Sequence, residues 1–410
     1  MTGDFEFDPF GERYLADPYA VFARAREEAP VFYAENLDYW VVSRYDDVRY
    51  VMSDTTAFSA RIAQEPLVPL CDEAKQIFID EGVNIKPLLS NNDPPDHQRV
   101  RRFMGSAFTN RAVKRLETYI RELCVERLDR FDGDSVDLVD ELVWDLPLLV
   151  ILQMLGVPES DIDDVKSWAE SRILLTWGHP SKEEQIRLTQ HLASYFNYST
   201  ELVNRFVETP GDNYTSDLIQ VRNGDDEVAT LNEIAIQVFN LLIAGHETTS
   251  NQAANMFQLL LSNSEIYDSL VADSELLIRA VEESMRLSPS VVSWRRQANV
   301  DVEVAGTTIP AGARLLLLLG SGNHDETHYD EPAQFRLDRE TPRDHLAFGH
   351  GIHLCMGAPL ARLELRVMLE EFVARFPHAR LTEGQNPSYL PNTSFRGPNE
   401  LWVTLNGAGS

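Results

Sequence analysis

The sequence predicts a fold that is mainly α with minor β. A helical pattern dominates residues 110–288 and is broken only by short segments that contain glycine and proline. Aromatic and β-branched residues dominate residues 31–42, which predicts a strand pair with a turn at Glu35-Asn36. Strand patterns return after Pro289. We therefore expect helices to form the bulk of the fold, with a small sheet near the N-terminus and further strands towards the C-terminus.

The composition fits one folded domain. Of the 410 residues, 43% are hydrophobic and 25% are charged, which is the ordinary mix of a globular protein with a sizeable core. No long linker, internal repeat or low-complexity tract marks an internal boundary. We interpret residues 1–406 as a single domain and residues 407–410, which are glycine, alanine and serine, as a flexible tail or linker stub.

Charge and cysteine content narrow the classes of partner and compartment. The chain has 36 basic and 65 acidic residues, and its formal charge of -29 argues against nucleic acid or an anionic membrane as the partner. Its three cysteines are widely separated and form no C-x-x-C pair, which favours neither a disulfide framework nor a zinc ribbon. The polar, acidic N-terminal residues predict neither a signal peptide nor a membrane anchor. We expect a cytoplasmic protein.

A glycine-rich segment, FGHGIHLCMG at residues 348–357, places Cys355 just before an amphipathic helix predicted over residues 358–376. N–H groups at the start of a helix and the positive end of its dipole stabilise a thiolate. Glycines let the backbone approach a flat ligand closely. The glycines in these positions are Gly349, Gly351 and Gly357.

Two other interpretations of this cysteine have to be weighed. Cys355 could be a buried structural cysteine, or it could bind a metal together with His350 and His353. A tetrahedral zinc site normally draws a second ligand pair from elsewhere, and the sequence offers no compact His/Cys pair to complete one. A structural cysteine would explain the sulfur but not three glycines and Phe348 at these spacings.

The segment resembles the F-x-x-G-x-H-x-C-x-G signature of the cytochrome P-450 family. The resemblance implies haem b as the cofactor, with Cys355 as the axial ligand of the iron and with Phe348, Gly349, His353 and Gly357 around it. It also implies the cytochrome P-450 fold, a triangular helical prism with small sheets.

A long helix is predicted from the capping box formed by Thr230 and Glu233 to about Asn263. Its centre changes abruptly from apolar residues to the pair Glu247-Thr248. Polar residues in a helix usually lie on its solvated face, but the apolar residues on both sides of this pair imply a buried helix.

Within this helix, Thr248 can hydrogen-bond back to the carbonyl of Ala244, which would open the helix locally where Gly245 leaves room for a small ligand. The stretch resembles the oxygen-activating helix of the cytochrome P-450 family. That resemblance assigns proton delivery to Glu247 and Thr248.

Two further groups of residues follow from the resemblance. Glu283 and Arg286 are spaced for an ion pair, which with Arg339 matches a buried structural element of the family. The haem propionates call for cationic partners. Residues that match the family's propionate contacts, but would otherwise be ordinary surface charges, are His97, Arg101, Arg296 and His353.

The resemblance covers almost the whole chain and implies a bacterial monooxygenase that uses dioxygen and electrons from a redox partner. Several stretches resemble the haem domain of self-sufficient members, although no flavin or iron-sulfur domain follows residue 403. We expect a stand-alone relative or a haem domain separated from its reductase. The donor would be a ferredoxin or a flavin/iron-sulfur reductase, separate or fused in the parent protein. A basic stretch at residues 99–115, expected near Arg362, is a candidate docking surface.

The expected reaction is hydroxylation or oxidative dealkylation of a small apolar or aromatic molecule. A peroxygenase would typically lack the Glu-Thr pair, and a haem gas sensor would usually bring an output domain. Several residues match pocket-lining regions of the family, although each could equally be plain core. They are Leu241, Ala244, Val291, Val292, Trp294, Thr393 and Phe395.

Overall fold

The computed structural model describes residues 7–87, 89–169 and 172–406, so the proposed tail at 407–410 lies outside the described residues. Its helices are α1 (Glu12–Ala16), α2 (Pro18–Glu28), α3 (Tyr45–Ser53), α4 (Asp72–Asp80), α5 (Asp96–Ala107), α6 (Asn110–Arg115), α7 (Glu117–Asp129), α8 (Asp145–Leu155), α9 (Ile162–Ala169), α10 (Arg172–Trp177), α11 (Lys182–Glu208), α12 (Tyr214–Arg222), α13 (Leu231–Leu261), α14 (Ser264–Ala272), α15 (Leu277–Leu287), α16 (Leu319–Gly322) and α17 (Ala358–Arg375).

The strands are β1 (Val31–Ala34), β2 (Tyr39–Val42), β3 (Phe58–Ser59), β4 (Ser135–Asp137), β5 (Trp294–Ala298), β6 (Val302–Val304), β7 (Thr307–Ile309), β8 (Arg314–Leu317), β9 (Arg380–Leu381) and β10 (Trp402–Thr404). The prediction of a mainly helical fold with minor β is confirmed. Across the described ranges, every helix is too short or too polar to cross a membrane.

The elements fall into two compact units, which are described separately. The first unit contains residues 7–59, 117–146 and 248–406, and the second contains the described residues of 60–116 and 147–247. The assignment of residues 1–406 to a single domain stays a prediction.

The first unit contains a five-stranded sheet in the order β1-β2-β8-β5-β3. β1 and β2 form the predicted antiparallel pair, with Val31 opposite Val42. They do not form a separate N-terminal sheet, because β2 also pairs with β8 in parallel and β8 pairs with β5. Apolar side chains of the sheet are buried with those of α3, so strands from both ends of the chain share one core.

A second sheet of the first unit, β4-β10-β9, was predicted only at β10. β4 and β9 have three and two residues. Strands this short do not display the alternation by which a strand is identified in a sequence.

Helix α17 is fixed against α7 by a network of charged side chains. Arg366 donates to Glu117 at 2.8 Å and to Glu370 at 2.9 Å, and Arg121 donates to Glu370 at 2.7 Å and also to Glu371. An isolated exposed ion pair adds little stability, but a partly buried network with several members restrains both helices. The second half of the helix that follows Cys355 is therefore held against α7.

In the second unit, the predicted capping box begins α13. The Thr230 hydroxyl accepts from the N–H of Glu233 at 3.1 Å, and the Glu233 carboxylate accepts from the N–H of Thr230 at 2.8 Å. Arg99 donates to the same carboxylate at 2.5 Å. The helix then continues without a break to Leu261, so the local opening expected beside Thr248 does not interrupt it.

Gly245 marks a close approach between α13 and α8. A Cβ atom at this position would lie 2.3 Å from Cδ1 and 2.5 Å from Cγ1 of Ile151, both far below van der Waals contact. From the sequence we expect this glycine to leave room for a small ligand. The packing gives a different reason, because the space beside its Cα belongs to Ile151.

We expect Gly245→Ala to destabilise the protein by about 1–3 kcal/mol, which is the usual cost of overpacking a core. Without the clash, alanine in a helix interior would stabilise it by about 1 kcal/mol. Gly105→Ala on α5 is the control, because no atom lies within 4 Å of its added Cβ, and it should stabilise the protein. Denaturant midpoints measure all of these changes. The double variant Gly245→Ala/Ile151→Ala should lose less stability than the sum of the losses in the two single variants. Strictly additive losses would contradict the contact.

Candidate functional site

Cys355 lies in the loop between a 3-10 turn, Gly351–His353, and the start of α17. Its N–H donates to the carbonyl of Phe348 at 2.9 Å, which closes the loop, and its side chain is exposed. A Cβ on Gly357 would lie 3.7 Å from the sulfur. The thiol is therefore presented beside the positive end of a helix dipole, which lowers the free energy of a thiolate.

Two other glycines of this loop have the left-handed backbone that glycine tolerates best, with φ of 73° at Gly349 and 71° at Gly351. A Cβ on Gly351 would also come within 2.8 Å of the carbonyl oxygen of Met52, on α3. Gly351 is therefore required by the packing of the loop on α3, a reason that its spacing in the sequence did not reveal.

A buried carboxylate, Glu282 on α15, holds the side chain of Arg362, on α17. Arg362 donates to both oxygens of the Glu282 carboxylate, at 2.7 and 3.0 Å, and Nε2 of His345 lies 3.2 Å from Oε2 of Glu282. The guanidinium of Arg362 also lies over the ring of Phe348, 4.6 Å from the ring centre. This contact orients the aromatic residue whose carbonyl accepts from Cys355.

The charge of Glu282 is maintained by these partners. Burial alone would raise the pKa of its carboxyl, but hydrogen bonds from His345 and Arg362, with the charge of Arg362, lower the pKa to about 2. Sequence reasoning missed Glu282, because its principal partner Arg362 stands 80 residues away. From the sequence we expect Arg362 to lie near the candidate docking surface, and in the structure its guanidinium pairs with Glu282.

The structure brings Glu283, Arg286 and Arg339 together. Arg286 donates to both oxygens of Glu283, at 2.7 and 2.9 Å, and Arg339 donates to the same carboxylate at 2.8 Å. Arg286 also donates to the carbonyl of Asn323 at 2.8 Å. Glu283 and Arg286 are almost completely buried, and a buried pair stabilises a fold only when its remaining donors are satisfied, as they are here.

The four candidate propionate partners lie in two places. In the first unit, Arg296 is buried on β5 and His353 is half-buried in the cysteine loop. In the second unit, His97 is buried on α5 and Arg101, one turn later, is half-buried. His97 and Arg296 are thus not the surface charges that their sequence alone would suggest. A buried cation requires an anion or hydrogen-bond acceptors.

Glu247 and Thr248 are consecutive residues of α13, the first buried and the second half-buried. Ala244, one turn earlier, is exposed although its neighbours Leu242 and Ile243 are buried. This part of the helix therefore presents a small side chain, that of Ala244, where its apolar residues give way to polar ones.

The second half of α13 carries polar anchors that the sequence did not reveal. Gln252 donates to the carbonyl of Ser288 at 3.1 Å and accepts from the N–H of Ser290 at 2.9 Å. Asn255 donates to the carbonyls of Ser288 and Arg396 at 3.2 and 2.9 Å. These amides fix the two segments that carry the candidate pocket residues of the first unit.

Those candidate pocket residues meet in space. Val291 forms a β-bridge with Phe395, and the rings of Phe395 and Trp294 lie 6.2 Å apart, edge to face. Val292 and Thr393 are 1% and 2% exposed, so their side chains belong to the core. The half-buried Val291 and Trp294 are the better candidates for a ligand contact. Leu241 lies on α13 in the second unit.

The residues of the cysteine loop fit a haem. An exposed thiol stands beside Leu354, a large apolar side chain that is 46% exposed, and a flat apolar ligand would cover both. The buried guanidinium of Arg296 in the same unit suits an anionic substituent on such a ligand. The zinc interpretation gains no support, because the described ranges hold no group of three His, Cys, Asp or Glu side chains arranged for a metal ion.

Comparisons with known proteins agree on one family. The profile described as "Cytochrome P450" matches residues 172–401. The chain is 34% identical to Cytochrome P450 107B1 of Saccharopolyspora erythraea over 378 residues, which are 91% of each chain. It is also similar to cytochrome P450 CREJ in complex with (4-ethylphenyl) dihydrogen phosphate, with a TM-score of 0.93, 36% identity and coverage of 98% of this chain and 99% of that one.

The expected similarity to reductase-fused members is confirmed by a third comparison. An intact type IV self-sufficient cytochrome P450 monooxygenase has a TM-score of 0.95 and 39% identity to this chain. The match covers 98% of this chain and 53% of that enzyme. The chain therefore spans about half the length of the self-sufficient enzyme.

Replacing Glu282 with glutamine should make the protein less stable at neutral pH and flatten its response to acid. The carboxyl has a pKa of about 2 when folded against an ordinary value of 4.5, so its contribution is complete above pH 4.5 and declines as the pH falls towards 2. The difference corresponds to about 3 kcal/mol, as an order of magnitude.

Denaturant titrations of the haem-loaded protein between pH 7 and pH 3 measure this effect. Glu340→Gln, which removes an exposed acid from the same unit, serves as the control and should leave the pH dependence unchanged. Parallel pH profiles for the wild-type protein and Glu282→Gln would contradict the role assigned to this carboxylate.

Proposed function

The chain belongs to the cytochrome P-450 family, and we propose that Cys355 is the residue through which it binds the iron of haem b. Members of this family bind haem through a cysteine thiolate, and the chain is a haem-dependent monooxygenase. The observation that carries the assignment is the exposed thiol of Cys355 at the start of α17, beside Gly357. Cys124 differs from Cys355 because it is buried on α7, and burial raises the pKa of its thiol to about 12.

Haem supplies the reductive activation of dioxygen and the transfer of one oxygen atom to a substrate. The residues of this chain would bind and orient the reactants and move protons. We assign proton transfer to the carboxylate of Glu247 and the hydroxyl of Thr248, which follow each other on α13. Glu247 is buried, so its carboxylate is largely shielded from bulk water. The exposed residue one turn before Thr248, Ala244, has only a methyl side chain, so the helix surface there is not covered by a large group.

For the substrate we propose a small apolar or aromatic molecule, which the enzyme would hydroxylate or oxidatively dealkylate. The support is the apolar character of Leu241, Val291, Trp294 and Phe395, of which the last three lie together. The similar enzyme CREJ, whose structure contains an aryl phosphate ester, provides a related protein with an aromatic ligand.

Enzymes of this family take electrons from redox partners, and here we propose an acidic ferredoxin or a flavin/iron-sulfur reductase, separate or fused. Arg102, Arg111 and Lys114 are exposed on α5 and α6 and could attract an acidic partner. Arg99 is bound to Glu233, and Arg115 lies 3.6 Å from Asp212, so this surface is less positive than its sequence suggests. We propose the cytoplasm as its compartment, in keeping with the cysteines, none of which is in a disulfide in the described part of the chain.

We expect Cys355→Ser to lose the red-shifted carbon monoxide band of ferrous haem, because that band requires thiolate ligation, and to lose oxygenation of every substrate. Absorption spectra of the reduced protein under carbon monoxide measure the first effect. Cys71→Ser is the matched control, since it removes a half-buried cysteine outside the loop, and it should retain the band. A band that persisted in Cys355→Ser would assign the ligand to another residue.

Thr248→Ala should continue to consume reductant but should yield mainly hydrogen peroxide, because proton delivery has lost its hydroxyl. The measurement is the amount of product formed per reductant consumed, which we expect to fall by about 10-fold or more, because a positioned proton donor usually contributes about 100-fold to 10,000-fold to the rate. Thr248→Ser keeps a hydroxyl and should recover most of the coupling. The neighbouring Thr249→Val should stay coupled, and equal uncoupling by the two changes would remove Thr248 from the mechanism.

A further inference from the structure

Two buried polar groups of the second unit have hydrogen-bonding capacity that no described residue uses. The guanidinium Nη1 of Arg172, on α10, has no hydrogen-bond partner in the described ranges, and neither has the hydroxyl of Tyr195, on α11. Arg172 is 7% exposed and Tyr195 is fully buried. An unsatisfied buried donor costs free energy, and the cost is larger for a charged group. Two such groups in one unit call for acceptors that a bound ligand or water would supply.

Arg172 and Tyr195 lie against the same aromatic side chain, Phe239 of α13. The guanidinium carbon is 5.6 Å from the centre of the Phe239 ring, and the rings of Tyr195 and Phe239 are 5.4 Å apart. Arg172 is oriented from its other side by Gln64, which accepts from Nη2 at 2.9 Å and itself donates to Ser90 at 2.9 Å. The planar guanidinium is therefore anchored through Nη2, and Nη1 is left without a hydrogen-bond partner among the described residues.

Both groups are in the state required of donors. Burial lowers the pKa of Arg172 to about 10, with the charge of Glu247 opposing the change, so the side chain remains cationic at neutral pH. Burial also raises the pKa of Tyr195 well above its usual value, so its hydroxyl keeps its proton. The influence of Glu247 on both residues shows that they lie in the region of the proposed proton-delivering acid.

We propose that Arg172 and Tyr195 form an oxyanion subsite for the substrate. The substrate would then be an apolar or aromatic molecule with a carboxylate or phosphate monoester at one end, whose oxygens accept from Nη1 of Arg172 and from the hydroxyl of Tyr195. Charge-assisted hydrogen bonds to carboxylate or phosphate are the strongest that a guanidinium makes. The proposal rests on the function proposed above and specifies its substrate class.

A competing interpretation uses the same geometry. Arg172 could serve only to offset the charge of Glu247, with water bound to Tyr195. In that case a second anion beside Glu247 would be unfavourable, and anionic molecules would bind no better than neutral ones. The two interpretations therefore predict opposite orders of affinity for matched ligands.

The test is a titration of the haem-loaded enzyme, followed by the spectral change of the haem, with three ligands of equal apolar size: 4-propylbenzoate, 4-propylphenyl phosphate and the neutral 4-propylbenzamide. We expect one or both anions to bind the wild-type enzyme more tightly than the amide. Arg172→Gln should weaken the binding of the preferred anion by about 10-fold to 100-fold, because hydrogen bonds to a charged group contribute most to its affinity. The affinity for the amide should not change. A preference for one anion over the other distinguishes a carboxylate from a phosphate substrate.

Tyr195→Phe preserves the packing of the ring on Phe239 and should weaken the binding of the same anion by about 2-fold to 10-fold. Arg187→Gln removes an exposed cation of α11 and is the control for general electrostatics, with no change expected. If Arg172→Gln weakened the amide and the anions equally, or if the amide bound most tightly to the wild-type enzyme, the subsite would be refuted. Neutral ligands would still bind and be oxidised in that case, whereas a failure of the proposed function would abolish the spectral response and the turnover of all three.

Discussion

A thiol that serves as a ligand has to be held in one position by side chains that do not touch it. Cys355 depends on the first turn of α17, and α17 depends on two sets of charges, the network with α7 and the contact of Arg362 with Glu282. The same Arg362 orients Phe348, whose carbonyl accepts from Cys355. The position of one sulfur atom is therefore supported by partly buried ion pairs elsewhere on α17.

The parts of the site that could be predicted from the sequence are those in which position along the chain determines position in space. The cysteine loop, the pair Glu247-Thr248 and the spacing of Glu283 and Arg286 are local patterns, and each lies on the expected loop or helix. The same holds for the β1-β2 pair and for the capping box of α13.

The rest depends on contacts between distant segments. Nothing near Glu282 indicates that Arg362 will neutralise it, and nothing near Gly245 indicates that Ile151 will occupy its side. The parallel pairing of β2 with β8 brings together strands from opposite ends of the chain. The two unused donors of Arg172 and Tyr195 are likewise visible only once α10, α11 and α13 are packed.

The contact between Gly245 and Ile151 also constrains how this enzyme can diverge. A side chain at position 245 costs less stability once residue 151 has become smaller, so the two changes are epistatic and either one acquired first gives a less stable intermediate. Lineages with little stability to spare cannot take either step alone. A library that varies α13 alone would therefore discard variants that become viable when α8 changes with it.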